Sequence, residues 1–275
     1  MKKKIAINLS LVGIYIVLIL VAIVTITPFY WGVISSLREY SELFDPKVWV
    51  DNPTVENYLR LFTTTLFPRW LLNSSVIAVS HTLLVLFFCS LGGYAFAKYE
   101  FRGKGILFLV ILGSMMIPIW VGIIPMFIWF AKLRLINTYW VLILPGSANA
   151  FGIFLMRQYI QGIPSEMMDS ARIDGCSEFQ IYYKIILPVI KPVLATLTIF
   201  TFLFSWNNFL AALIFMVTEE MFTVPVGLSA LVGMQQPQYG MLMAGTFISV
   251  IPVVIIFLRM QKEFVAGLTL GAVKG

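Results

Sequence analysis

The sequence predicts an all-α, polytopic membrane protein with six transmembrane helices, and three observations predict it. Hydrophobic residues make up 60% of the chain, charged residues 12%, and mean hydropathy is +0.92. Soluble domains carry roughly a quarter charged residues, and half that fraction cannot coat a water-facing surface. Six segments, near residues 8–35, 70–97, 106–131, 138–160, 193–217 and 240–259, each supply the run of about 20 mainly apolar residues that a bilayer span needs. No Asp, Glu, Lys or Arg lies inside these spans away from their ends. Together the spans occupy more than half of the 275 residues, which leaves no room for a separate catalytic domain. A single integral-membrane domain over 1–275 is expected.

The first span follows Lys2-Lys3-Lys4. A cleavable signal peptide has an apolar stretch of about 7–15 residues and a small-x-small cleavage site. Here the apolar run continues to about Ile34 with no clear Ala-x-Ala site, so it reads as a retained span. The loop 36–69 is the longest expected outside the membrane on the outer face. It carries nine charged residues with Asp-Pro and Asn-Pro steps that favour turns. Trp49, Tyr58 and Trp70 suit a membrane interface, and short surface helices are expected here. The hairpin 98–105, between the second and third spans, is short and basic.

Spans three and four contain Pro118, Pro125 and Pro145-Gly146, which predict kinks. Orientation follows from basic residues. With the N-terminus inside, the inner segments (1–7, 98–105, 157–192, 259–275) hold 13 Lys and Arg, and the outer ones (36–69, 132–137, 218–239) hold six. Both ends are therefore expected in the cytoplasm, with an outer loop at 218–239 and a cytoplasmic tail at 260–275. The net charge of +6 then reports topology and contact with anionic lipid, not nucleic acid.

The chain shows little chemistry of its own. Ionisable residues within a bilayer usually mark proton relays or ion sites, and their absence argues against proton or sodium coupling. No His-Glu-x-x-His, Gly-x-Ser-x-Gly or P-loop motif is present, so the chain has no ATP site of the P-loop kind. No cofactor, no metal site and no catalytic residue is expected. Cys89 and Cys176 lack metal-ligand companions at useful spacing. The lone His81 is expected to hydrogen-bond within the bundle. In the fifth span Trp206, Asn207 and Asn208 have two readings: lining for a sugar path, or amides bonded across helices.

The loop 161–192 carries the strongest signal, with seven charged residues between Glu166 and Lys191. Pro164 suits a helix start. Glu166 and Asp169 place negative charge in its first turn, which the helix dipole favours. Met167 and Ala171, at i and i+4, are expected to share an apolar face. Asp174-Gly175 reads as a stop, and Ser177 with Gln180 as a capping box for a second helix, which Pro188 would end or kink.

Within this loop Asp169-Ser170-Ala171, Gly175 and Ile185-Ile186-Leu187-Pro188 resemble the signature cytoplasmic loop of ABC importer permeases, roughly Glu-Ala-Ala, glycine, Ile-x-Leu-Pro. Asp169 keeps the charge of the first position and Ser170 stays small. Ile163-Pro164, Ile173-Asp174-Gly175, Lys191-Pro192 and Trp206-Asn207 resemble carbohydrate importer permeases of the maltose-transporter type. The ending Gly267 to Gly275 resembles that of the six-span member of the permease pair.

The resemblance implies a type I ABC importer fold and a non-catalytic permease subunit in a bacterial inner membrane. Its implied partners are a second homologous permease, two ATPase subunits that bind ATP-Mg, and an extracytoplasmic sugar-binding protein, with a carbohydrate as substrate. Ser165 to Asp174 would be the coupling helix seated in an ATPase cleft, with Glu166, Met167, Asp169, Ser170, Ala171, Asp174 and Gly175 as coupling residues. Side-chain bulk at Gly175 would misdirect it. The tail 267–275 would reach between the ATPases, and Met234, Gln235 and Gln236 of the loop 218–239 would meet the binding protein. A membrane scaffold, an exporter component or a passive sugar channel remain the alternatives.

Overall fold

The computed structural model describes residues 9–39, 42, 47–233 and 238–272, the side chains of 9, 10 and 266–272 excepted. Met234 to Pro237, and 273–275 of the tail, lie outside the described residues. Every described element is helical or a turn. The helices are α1 (Leu9–Ser36), α2 (Glu56–Thr64), α3 (Phe67–Lys98), α4 (Lys104–Ser114), α5 (Ile123–Lys132), α6 (Trp140–Ile143) and α7 (Ala150–Gln161). They continue with α8 (Glu166–Ile173), α9 (Glu178–Ile181), α10 (Leu187–Val189), α11 (Lys191–Trp206), α12 (Phe209–Phe215), α13 (Val224–Val232) and α14 (Tyr239–Ala272).

All six expected apolar segments are helical, but only three run unbroken. These are Leu11–Ser36, Phe67–Lys98 and Tyr239–Val265, each long and apolar enough to cross a bilayer. The third segment bends by 92° between α4 and the helical stretch Ile119–Lys132, at Pro118, which has no N–H to continue the ladder. The fourth is divided into α6 and α7 by Pro145 and Gly146, the latter at φ +75°. The fifth, expected to run to 217, stops at Trp206 and restarts at Phe209. Before it, the chain bends by 79° between Val189 and Lys191. Pro188, expected to end or kink the helix, lies inside α10, and the bend falls two residues after it.

The chain groups into two compact units, Met1–Phe67 with Leu228–Ser249, and Pro68–Gly227 with Val250–Gly275. In the first, α1 is apolar all round and its most apolar stretch is nowhere buried, as befits a helix whose solvent is lipid. The loop behind it folds on Arg38, which is only 1% exposed. Its guanidinium donates to the carbonyls of Lys47 and of Trp49, the latter at 3.1 Å. Asn57 donates to the carbonyls of Ser36 (3.0 Å) and Arg38 (2.8 Å). The expected surface helix is α2, which buries Leu61.

The second unit is built on α3. At its start Trp70 donates to the carbonyl of Glu219 (3.0 Å), and Asn73 donates to those of Glu220 and Phe222 (both 2.8 Å). Further along, α3 and α7 cross so closely that a Cβ on Gly93 would lie 2.4 Å from Met156 Cβ, a small-residue contact of the kind that lets membrane helices approach. A core of Cys89, Tyr94, Met156, Ile160, Met168, Ile181, Tyr182 and Ile186 joins α3 and α7 to the segment 163–190. A second cluster gathers Ile77, Val141, Leu142, Ala212, Phe215 and Val226.

Candidate functional site

Two places in the second unit are candidates for a functional site: the segment 163–190 and a cavity among the broken helices. In the segment, α8 starts at Glu166, with Ser165 as the residue before it. Pro164 therefore precedes the helix rather than opening it. Glu166 and Asp169 do lie in the first turn. The buried face is Met168 (2% exposed) with Ala171 (6%). That is a correction: Met167, expected beside Ala171, is 41% exposed. Side chains at i and i+3 face together here because the helix lies flat on the core formed by Tyr94, Ile163, Ile181 and Tyr182. Met168 was invisible as a single letter beside an identical Met167.

Away from that core α8 presents Glu166, Met167, Asp169, Ser170, Ile173 and Asp174. Ile173 is 87% exposed, an unusual place for a bulky aliphatic side chain on a polar helix. The stop is Gly175 at φ +80°, and the capping box of Ser177 and Gln180 is present with both reciprocal bonds, 2.8 and 3.3 Å. A π-helical turn, Tyr182–Ile186, then leads to α10. Within this chain a Cβ at Gly175 would meet nothing within 4 Å. The constraint at this turn is backbone conformation, not the side-chain bulk expected from the sequence.

An ionic clip sets the angle between α8 and α9. Arg172 donates to Asp169 Oδ1 (2.7 Å), Glu178 Oε1 (2.8 Å) and Glu178 Oε2 (3.3 Å). Tyr99, just beyond α3, donates its hydroxyl to the same Glu178 carboxylate. The Arg172 guanidinium, and then the Tyr99 hydroxyl, hold the Glu178 carboxyl below its ordinary value of 4.5. Burial, and then its bond to Glu178, push the Tyr99 phenol upward. Further contacts tie the loop to α3: Tyr94 donates to Met168 Sδ (3.7 Å), Lys98 to the carbonyl of Ile163, and Ser90 and Tyr182 share a hydrogen bond of 2.6 Å. Arg172, Glu178 and Tyr99 were not singled out from the sequence. Their signal is the charge pair flanking Gly175, six residues apart, which becomes a contact only once the glycine turns the chain.

The second place is a cavity of about 660 Å³. The three helix breaks converge on it: Ile119 and Trp120 follow Pro118, Pro145, Gly146 and Asn149 mark the second break, and Asn208 the third. Its other polar lining comes from His81 on α3 and from Thr201 and Ser205 on α11. Among the described residues, no charged one lines it. His81 Nδ1 lies 2.9 Å from the carbonyl of Ile143, so the histidine is bonded within the bundle as expected.

The amides of the fifth span cap helices. Asn208 Oδ1 accepts from the backbone N–H of Ala211 (3.3 Å) to start α12, and Asn207 donates to the carbonyl of Leu203 (3.0 Å) at the end of α11. Among the described residues, neither amide makes the cross-helix bond considered from the sequence. Trp206 is 3% exposed and stacks on Phe202, ring centroids 5.5 Å apart. Of these three residues Asn208 lines the cavity. Met234, Gln235 and Gln236 lie outside the described residues.

The family described as "Binding-protein-dependent transport system inner membrane component" matches residues 89–269. The arabinooligosaccharides transport system permease protein AraQ of Bacillus subtilis is 41% identical, over 90% of each chain. The lactose transport system permease protein LacG of Rhizobium radiobacter is 34% identical, over 94% of this chain and 95% of its own. The crystal structure of a bacterial ABC transporter involved in the import of the acidic polysaccharide alginate superposes with a TM-score of 0.82. That likeness covers 96% of this chain and 99% of the other at 24% identity, which speaks for the fold. The loop, the broken spans and the match across most of its length place the chain in one family: it belongs to the binding-protein-dependent transport system inner membrane components.

Proposed function

We propose that the chain is the six-span permease subunit of an ATP-driven carbohydrate importer in a bacterial cytoplasmic membrane, and that it forms half of the translocation route. The observation that carries this reading is the construction of α8. One face is packed on the core shared with α3 through Met168 and Ala171 and is tied to α9 by Arg172, while Met167 and Ile173 stand exposed on the other. A helix that is held behind, with two bulky apolar side chains among the charges in front, is suited to transmit a push from a soluble partner.

In this reading two cytoplasmic ATPases hold ATP-Mg, one seats α8 in a cleft, and a second homologous permease supplies the other half of the route. Both chain ends lie in the cytoplasm, in keeping with the excess of basic residues in the loops on that side. An extracytoplasmic binding protein delivers the sugar to the face that carries the loop 218–239. The names of the arabinooligosaccharide and lactose relatives support a neutral sugar as cargo.

Affinity purification of the tagged chain from its own membranes tests this. A P-loop ATPase and a second permease should co-purify, and deletion of residues 165–175 should release the ATPase. Recovery of the chain alone, or with partners indifferent to that deletion, would leave a channel or scaffold.

A further inference from the structure

We infer that the cavity in this chain is itself a binding site for an uncharged sugar unit, with the Nε2 atom of His81 as the acceptor of a sugar hydroxyl. The inference rests on the carbohydrate reading above and adds to it a site and a selectivity. It starts from hydrogen-bond accounting. His81 is 5% exposed and lines the cavity. Its Nδ1 sits 2.9 Å from the Ile143 carbonyl, which can only accept, so that nitrogen carries the proton. No carboxylate lines the cavity to favour a cation, and in the neutral ring Nε2 is then a lone pair. Among the described residues it has no partner.

Two more polar groups share that condition. Thr201 and Ser205 lie one turn apart on α11 and both line the cavity. Thr196 and Thr198 of the same helix bond back to the carbonyls of Pro192 and Leu194. The hydroxyls of Thr201 and Ser205 make no such bond among the described residues. Thr201 is 7% exposed and Ser205 half-buried, and an acceptor and two hydroxyls open toward one space suit a ligand with both O–H donors and acceptors.

The amides complete the set. The Oδ1 atoms of Asn149 and Asn208 accept at the caps of α7 and α12 and Asn149 Nδ2 donates to the Gly146 carbonyl, which leaves an N–H on each amide for the cavity. The Trp120 indole, 42% exposed, supplies a flat apolar face. A sugar ring has this combination of hydroxyls and an apolar face. A uronate does not fit, because the wall holds no cation to balance a carboxylate, and burying such a charge unpaired is costly. The volume of about 660 Å³ falls within the range of about 300–1,000 Å³ usual for small-molecule sites.

The test uses the purified complex of this chain with its co-purifying subunits, without binding protein. Equilibrium dialysis would measure the Kd of labelled arabinotriose, with lactose and an alginate trisaccharide as further probes. Two variants separate recognition from folding. In His81→Asn the amide can keep the bond to Ile143 but ends short of the cavity. In His81→Gln the amide reaches the place of Nε2 and offers an oxygen there, while the Ile143 bond is lost.

His81→Asn should raise the Kd about fivefold, and His81→Gln should stay nearer the wild type. Ser205→Ala should raise it about threefold. Alginate trisaccharide should bind at least tenfold more weakly than the neutral probes. A normal Kd in His81→Asn with an impaired His81→Gln would make the histidine a packing residue and overturn the site. Equal binding of the alginate trisaccharide would overturn the selectivity. A wild-type complex that binds none of the three probes, though its ATPase subunits are present, would refute the carbohydrate reading and the site with it.

Discussion

Replacing Gly175 separates two reasons for a glycine between α8 and α9. If bulk were the obstacle, Gly175→Ala would be harmless and Gly175→Val severe. The structure argues otherwise, since a Cβ there meets no atom of the chain within 4 Å while the backbone sits at φ +80°. The penalty is then conformational and begins with alanine. A non-glycine residue in the left-handed region costs about 1–2 kcal/mol, and asparagine, which visits that region, costs less. One or two kcal/mol changes a conformational ratio by about 5–30-fold. β-Branched valine is a steeper case.

The assay is sugar uptake and ATP hydrolysis in membrane vesicles that carry the assembled transporter, expressed as sugar moved per ATP. The expected order is glycine, asparagine, alanine, valine, with alanine already clearly impaired and ATP hydrolysis persisting. Gly175→Ala with wild-type coupling beside a failed Gly175→Val would refute the backbone argument and restore the steric one.

Further outcomes follow from the same loop. Arg172→Gln should loosen α8 from α9 and lower coupling. Because the pair with Glu178 is solvent-exposed, it should leave the stability of the complex nearly unchanged. A double-mutant cycle with Glu178→Gln should show the two effects to be non-additive. The Glu178 carboxyl is held below its ordinary value of 4.5 in the folded loop, so the clip's contribution is complete above that pH and fades as pH falls through the folded value. Limited proteolysis of the loop should therefore be flat at pH above the ordinary value of 4.5 and rise as pH falls below it, with no such step in Glu178→Gln. Met168→Ala empties a fully packed position and should destabilise the loop by about 2–5 kcal/mol. Met167→Ala should leave the thermal stability of the isolated chain unchanged and weaken retention of the ATPase in pull-down.

Legibility differed by kind of signal. The six apolar segments, the acidic first turn of α8, the glycine stop and the Ser177–Gln180 capping box are local patterns, each decided by a few neighbouring letters, and each stands in the structure. Breaks inside the spans were only partly legible. Pro118 and Pro145 announce theirs, but Asn207 and Asn208 read as side chains in search of a ligand or a partner helix, when the backbone they interrupt uses them as caps. The face of α8 was misjudged because Met167 and Met168 are chemically identical, and only the docking direction chooses between them. Arg172 and Tyr99, which share Glu178, and His81 and Ser205, which line one cavity, are pairs distant in sequence that only the fold brings together. Composition carries no trace of them.

The helix α3 joins the two functional places, and that gives a last prediction. Its far end grips the loop through Ser90, Tyr94, Lys98 and the adjoining Tyr99, while His81 on the same helix lines the cavity. Nine residues of α-helix separate Ser90 from His81, about 14 Å of continuous hydrogen-bonded backbone. Ser90 uses its own proton on the Leu86 carbonyl, so in the bond with Tyr182 the tyrosine is the donor. Both residues are buried, Ser90 at 1% and Tyr182 at 4% exposure. Tyr182→Phe therefore removes one hydrogen bond and leaves Ser90 satisfied, at a cost of about 0.5–1.5 kcal/mol, with the ring still packed near Tyr94. If α3 carries loop displacement toward the cavity, this variant assembles with its partners and hydrolyses ATP, yet moves less sugar per ATP. Unchanged coupling would show that the grip of α3 on the loop is packing alone, and the search for the link would move to α7, which crosses the same helix at Gly93.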